Sequence, residues 1–93
     1  MTPATSLRVV IFKDGDLWIA QALEHDICAR ATDLKKLKAR FETVVHLERE
    51  HSKRNNKDPF AGIDPAPKHF FDLWEERSGF VQKQDDMQLA LCA

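Results

Sequence analysis

The chain has 93 residues, the size of one small domain, which excludes an enzyme built from two domains. Its 14 Lys and Arg residues are balanced by 15 Asp and Glu residues, and the net charge of -1 excludes a protein whose whole surface is basic enough to bind nucleic acid. Because a domain of this size buries a small apolar core, we expect a homodimer contact or another partner to stabilise it.

Cysteine usage and the lack of long apolar runs predict the compartment. Cys28 and Cys92 lie far apart without a CxxC pair, which is unlike a disulfide framework or a zinc site. We expect Cys28 to be a buried strand thiol rather than a nucleophile. Residues 1–6 are polar, and no apolar run reaches the roughly 18 residues of a membrane span. The sequence therefore predicts a cytoplasmic protein with no signal peptide, no membrane contact and no cofactor.

The first third of the chain predicts three strands. Residues 7–12 and 17–23 are apolar runs separated by a break that contains Asp14 and Gly15. This pattern predicts a β-hairpin, because glycine accepts the positive φ that tight turns require. The short run 27–31 predicts the third strand of an antiparallel sheet.

The next segment predicts one long helix that covers a face of this sheet. Residues 33–51 contain no Gly or Pro, and Thr32 or Asp33 can cap the start of the helix. Five apolar residues recur at helical spacing and fill an arc of about 100°. They are Leu34, Leu37, Phe41, Val44 and Val45.

The second half predicts a Pro-rich loop followed by a short aromatic helix. Residues 59–67 contain three prolines and a glycine, which favour an ordered extended loop. Residues 68–77 predict a helix whose buried side carries Phe70, Phe71, Leu73 and Trp74. The fold class is therefore α+β, in which a three-stranded antiparallel sheet is covered by one long helix. The single domain spans residues 1–79, and residues 80–93 form a tail to which the sequence assigns no structure.

The first half resembles the N-terminal domain of HicB-type antitoxins, the partners of HicA toxins in bacterial toxin-antitoxin pairs. The similarity covers about residues 7–50. It rests on Asp14, Gly15, Trp18, Ala20, Glu24, Cys28, Asp33 and Leu34. The resemblance implies a partial ribonuclease-H-like β-β-β-α fold without nuclease chemistry, and therefore a protein-binding module.

The chain departs from the family pattern at two places. Lys35 and Lys36 stand where the family usually has acidic residues early in the helix, and residues 23–27 replace a Pro-Gly-Cys approach to the third strand. Full-length members commonly carry a DNA-binding helix-turn-helix or ribbon-helix-helix. The prolines after residue 51 interrupt that region here, and the residues after Gly79 are too few for a helix-turn-helix.

Five residues are candidates for partner binding. Lys35, Lys36 and Lys38 lie in the first turns of the predicted helix, where the helix dipole disfavours each cation by about 0.3 to 1 kcal/mol. Two interpretations are open: contact with an acidic partner or phosphate, or a solvated and screened face. Phe71 and Trp74 likewise either anchor an interface or complete the core.

Catalytic and metal-binding patterns are weak. His46 and His51 are five residues apart, whereas metal ligands on one helix face are three or four apart. Glu42 and His46 have the spacing of a carboxylate-imidazole pair, but no nucleophile is assigned beside them. The sequence therefore predicts no catalytic residue, no metal site and no enzyme activity.

Three functions are consistent with these features. The first is a non-enzymatic, antitoxin-like or inhibitor-like module that sterically neutralises a toxin or nuclease, acting as a homodimer. The second is a nucleic-acid-binding protein that uses Lys35, Lys36, Lys38 and Arg40. The third is a mobile-element inhibitor of a host nucleic-acid defence enzyme, which differs from the first only in its target.

Overall fold

The protein forms one mixed sheet with a helix on each face. The computed structural model describes residues 7–55, 60, 62–84 and 87–92. In chain order its elements are β1 (Leu7–Asp14), β2 (Leu17–Ala22), β3 (Cys28–Ala31), α1 (Leu34–Arg54), α2 (Lys68–Arg77), β4 (Ser78–Gln84) and β5 (Met87–Cys92). The strand order is β3-β2-β1-β5-β4. The N-terminal segment 1–6, much of the polar linker before residue 60 and parts of the Pro-rich loop and the tail lie outside the described residues.

The predicted hairpin and third strand are confirmed. β1 and β2 pair antiparallel up to Asp14 and Leu17, and Gly15 adopts a φ of 62° in the turn. β3 pairs antiparallel with β2 and begins one residue later than predicted. Ile27 belongs to the turn before β3, because its N–H donates to the carbonyl of His25 at 2.8 Å.

The long helix is also confirmed, and it continues to Arg54. Asp33 is its N-cap, with a carboxylate oxygen that accepts from the Lys36 N–H at 2.8 Å. At the other end, the Asn55 amide donates to the carbonyl of His51 at 2.8 Å. Leu37, Phe41 and Val45 are buried as predicted, while Leu34 and Val44 pack at the margin of the core.

The described part of the Pro-rich loop joins the two faces of the sheet. Phe60 is fully buried, and its N–H donates to Ser52 Oγ at 3.2 Å. Further along, the Asp26 N–H donates to the carbonyl of Asp64 at 2.7 Å, and the Ala66 N–H donates to that of Leu23 at 2.9 Å. These bonds tie the loop to the turn between β2 and β3. α2 then has the predicted bounds, Lys68–Arg77.

The sheet is larger than the predicted three-stranded antiparallel sheet. β4 and β5 lie almost wholly in the segment to which the sequence assigned no structure, and they pair antiparallel with each other. β5 also pairs parallel with β1, which makes the sheet mixed. A parallel neighbour needs a long crossover. Here α1, the Pro-rich loop and α2 supply it.

Each helix covers a different part of the sheet. Successive strand residues point to opposite faces. Val9 and Ile11 belong to the core under α1, whereas Val10 belongs to the core under α2. α1 packs mainly on β3 and β2, while α2 packs on β5, β1 and β4.

Candidate protein-binding surfaces

The five predicted binding residues do not form one surface. Lys35, Lys36 and Lys38 are exposed on α1, whereas Phe71 and Trp74 are half-buried on α2. Because the two helices cover opposite faces of the sheet, one flat partner surface cannot contact both groups.

The lysines of α1 also diverge from one another. At 100° per residue, Lys36 and Lys38 point about 160° apart around the helix. Lys36 is one turn before Arg40, whose Nη1 donates to the carbonyl of Arg30 in β3 at 2.8 Å. Lys38 lines a small pocket over β1 and β5 instead, together with Glu42. Lys36 is therefore the lysine on the β3 side of α1.

An open groove runs between β3 and α1. It encloses about 420 Å³. It is lined by Ala29, Arg30, Ala39, Arg40, Thr43 and Val44. We call this feature the edge groove, because β3 is the end strand in the order of the described strands. The alanines on both sides leave room between strand and helix.

The rim of the edge groove combines positive charge with one exposed apolar side chain. Lys36 and Arg40 are exposed on α1, whereas Arg30 contributes its main-chain carbonyl, because its side chain lies on the opposite face of the sheet. Leu47 lies seven residues after Arg40, on nearly the same side of α1, and is 58% exposed. The first turn of α1 contains no acidic residue. The groove thus offers an extended segment a basic end and an apolar end.

The prediction that Cys28 is buried is wrong. β3 alternates, with Ala29 and Ala31 buried beneath α1 and with Cys28 and Arg30 exposed on the opposite face. α2 packs mainly on β1, β4 and β5, and an open depression separates it from β3. Cys28 therefore lies beside an open depression next to α2, where a buried thiol was expected.

Phe71 and Trp74 form a cluster with an ion pair. Their ring centroids lie 5.5 and 5.8 Å from the guanidinium carbon of Arg8. Arg8 Nε donates to one carboxylate oxygen of Glu24 at 2.6 Å, and the main-chain N–H of Arg8 donates to the second carboxylate oxygen at 2.7 Å. Both aromatic rings pack against the core under α2. The structure thus places them at the margin of the core, half-buried.

Leu47 and Arg30, which the structure places beside the edge groove, were not among the sequence-based candidates for partner binding. The sequence could have pointed to Leu47 as an exposed apolar residue, because it lies outside the buried apolar stripe of its helix. Nothing in the sequence points to Arg30, since its position at the edge depends on which strand ends the sheet.

Other classes of site find little support in the part of the chain that the structure describes. No three His, Cys, Asp or Glu side chains lie together where they could hold a metal ion. His46 and His51 are both exposed. Neither described helix is long and apolar enough to cross a bilayer.

Comparison with known proteins identifies no relative. No protein-family model matches the chain, and searches of curated proteins and of solved structures return no significant match.

Proposed function

We propose that the chain is a non-enzymatic, antitoxin-like protein-binding module that neutralises a toxin or nuclease by covering part of its surface. The edge groove is the proposed contact site. The observation that carries the proposal is the position of this groove beside an end strand, with two cations and an exposed leucine on its rim. The order β1, β2, β3, α1 agrees with the β-β-β-α unit that the HicB resemblance implies.

The charge of the groove indicates an acidic partner. Lys36 and Arg40 lie one turn apart on the same side of α1, and the nearby N-cap Asp33 accepts a hydrogen bond from the Lys36 N–H. Opposite charges across an interface accelerate association and fix its register. A partner segment with carboxylates facing these cations and an apolar residue near Leu47 complements the surface.

A protein ligand fits this surface better than a nucleic acid does. A phosphate backbone requires cations that follow one line, whereas Lys36 and Lys38 point to opposite flanks of α1. The alanine-lined groove and the exposed Leu47 also present apolar surface, which does not stabilise a bound phosphate. Nucleic-acid binding is therefore an alternative outcome of the test below.

The test measures how much partner protein the full chain captures when one of two adjacent lysines is replaced. Tagged wild-type protein, Lys36→Glu and Lys35→Glu are expressed in the native cells, and captured proteins are quantified with and without nuclease. Both substitutions change the charge equally in the first turn of α1, but only Lys36 lies beside the groove. We expect wild type and Lys35→Glu to retain one protein in near-equimolar amount, and Lys36→Glu to reduce its recovery about tenfold.

Two results would contradict the proposal. Equal recovery by both variants would remove the edge groove as the contact surface. Loss of all captured material after nuclease treatment would favour nucleic-acid binding by the basic residues of α1.

A further inference from the structure

We propose that β3 accepts a strand, so that an extended acidic segment of the partner joins the sheet alongside it. This inference rests on the proposed function and adds to it a mode of binding. In strand addition, main-chain hydrogen bonds supply the affinity and alternate side chains supply the selectivity.

In the described part of the chain, the backbone of β3 presents main-chain groups on its outer side that no other described strand pairs with. Main-chain groups along a strand point alternately to the two sides. The carbonyl of Ile27 accepts from the Ala22 N–H at 2.9 Å and so faces β2, whereas the carbonyl of Arg30 accepts from the Arg40 side chain and so faces outward. By this alternation, Cys28 and Arg30 carry outward-facing N–H and carbonyl groups. An added strand would bond to these two residues.

Arg40 acts as a latch on this edge. Its Nη1 donates a hydrogen bond to the carbonyl of Arg30 at 2.8 Å. Charged side chains at sheet edges protect them from unwanted pairing. A carboxylate is a stronger acceptor for a guanidinium than a neutral carbonyl is. A partner carboxylate beside the edge therefore draws Arg40 away and frees the carbonyl of Arg30 for the incoming N–H. Arg40 therefore makes the edge of β3 selective for strands that carry carboxylates.

A second copy of this chain is a poor occupant of the same edge. Pairing β3 with β3 of another copy brings the Arg30 side chains together on one face of the sheet and the Arg40 side chains together on the other, and like charges facing each other across strands are destabilising. A different, acidic chain avoids this repulsion.

The experiment uses the full chain labelled with ¹⁵N and two synthetic seven-residue peptides. The acidic peptide is Thr-Glu-Val-Glu-Val-Glu-Thr, and its control has glutamine in place of each glutamate. We expect the acidic peptide at millimolar concentration to slow amide hydrogen exchange at Cys28 and Arg30 about tenfold. Ala29 and Ala31, which face β2, should change little. The neutral peptide should bind several-fold more weakly.

Arg40→Ala tests the latch. Without the guanidinium, the carbonyl of Arg30 is open to any strand. The neutral peptide should then bind this variant more tightly than it binds wild type, and the preference for glutamate should fall to the part that Lys36 supplies.

Arg30 separates backbone pairing from charge. Arg30→Gln removes the charge and keeps the outward N–H, whereas Arg30→Pro removes both. Proline is tolerated on edge strands where its nitrogen faces solvent, and an unchanged melting temperature will confirm that the variant folds. Strand addition predicts weaker peptide binding by Arg30→Pro than by Arg30→Gln.

The possible failures are distinguishable from those of the proposed function. Peptide binding that leaves exchange at Cys28 and Arg30 unchanged, or equal binding by the two Arg30 variants, would overturn strand addition while the edge groove remains a contact surface. Absence of binding by either peptide, to wild type and to Arg40→Ala, would also overturn it. The proposed function itself is tested separately, by the comparison of Lys35→Glu with Lys36→Glu and by the nuclease treatment.

Discussion

Phe60 shows how one residue can be both strained and stabilising. Its φ of 64° lies in the left-handed region, which costs a residue with a Cβ about 1 to 2 kcal/mol. Its ring is fully buried, 5.3 Å from the ring of His25 and 5.5 Å from the guanidinium carbon of Arg49, measured to ring centroids. The burial of this ring outweighs the backbone cost.

Two substitutions of Phe60 separate these contributions. Phe60→Ala should lower the free energy of unfolding by about 3 to 5 kcal/mol, because it empties a core position. Phe60→Gly should be about 1 kcal/mol more stable than Phe60→Ala, since glycine accepts the positive φ. Urea denaturation of the three proteins measures both differences. An alanine variant more stable than the glycine variant would contradict the strain argument.

At the scale of elements, local signals predicted the first three strands and both helices. The turn at Gly15, the cap at Asp33 and the apolar stripe of α1 each act within a few residues of the chain. β5 is different, because its partner β1 is about 80 residues away in sequence. The apolar run 87–92 carries no local mark that selects a parallel neighbour.

Some residues of the candidate site could likewise be predicted from local sequence, and others could not. Lys36 could be selected from sequence, because cations at a helix start oppose the dipole. The contribution of Arg30 required the sheet order, which leaves β3 at an end. The prediction that Cys28 is buried was wrong for the same reason, since only the placement of α2 shows which strands it covers.

The dipole of α1 permits a stability test with a matched control. Lys35 lies in the first turn, which has no acidic residue, and Lys53 lies in the last turn. Lys35→Glu should raise the free energy of unfolding by about 0.3 to 1 kcal/mol, whereas Lys53→Glu should lower it by a similar amount. Thermal denaturation at low salt measures both. Changes of the same sign would show that another interaction controls these positions.

At the scale of the whole molecule, the two helices are offset across the sheet. α1 covers β2 and β3 on one face, and α2 covers β1, β4 and β5 on the other. The offset buries the apolar residues of the central strands on both faces, and it leaves the outer side of β3 open beside α1. The edge groove is a consequence of this arrangement, because a helix centred on the sheet would not reach the end strand.

Self-association should use a surface away from the edge groove. The size of the domain predicts a homodimer, while Lys36 and Arg40 oppose pairing through the groove. Light scattering over a range of concentrations should therefore give a mass near twice the 10.7 kDa of one chain, for wild type and for Lys36→Glu alike. A monomer mass throughout would contradict the homodimer. A dimer that Lys36→Glu dissociates would instead place the groove between two copies, so that an acidic partner would have to compete with the dimer for the same cations.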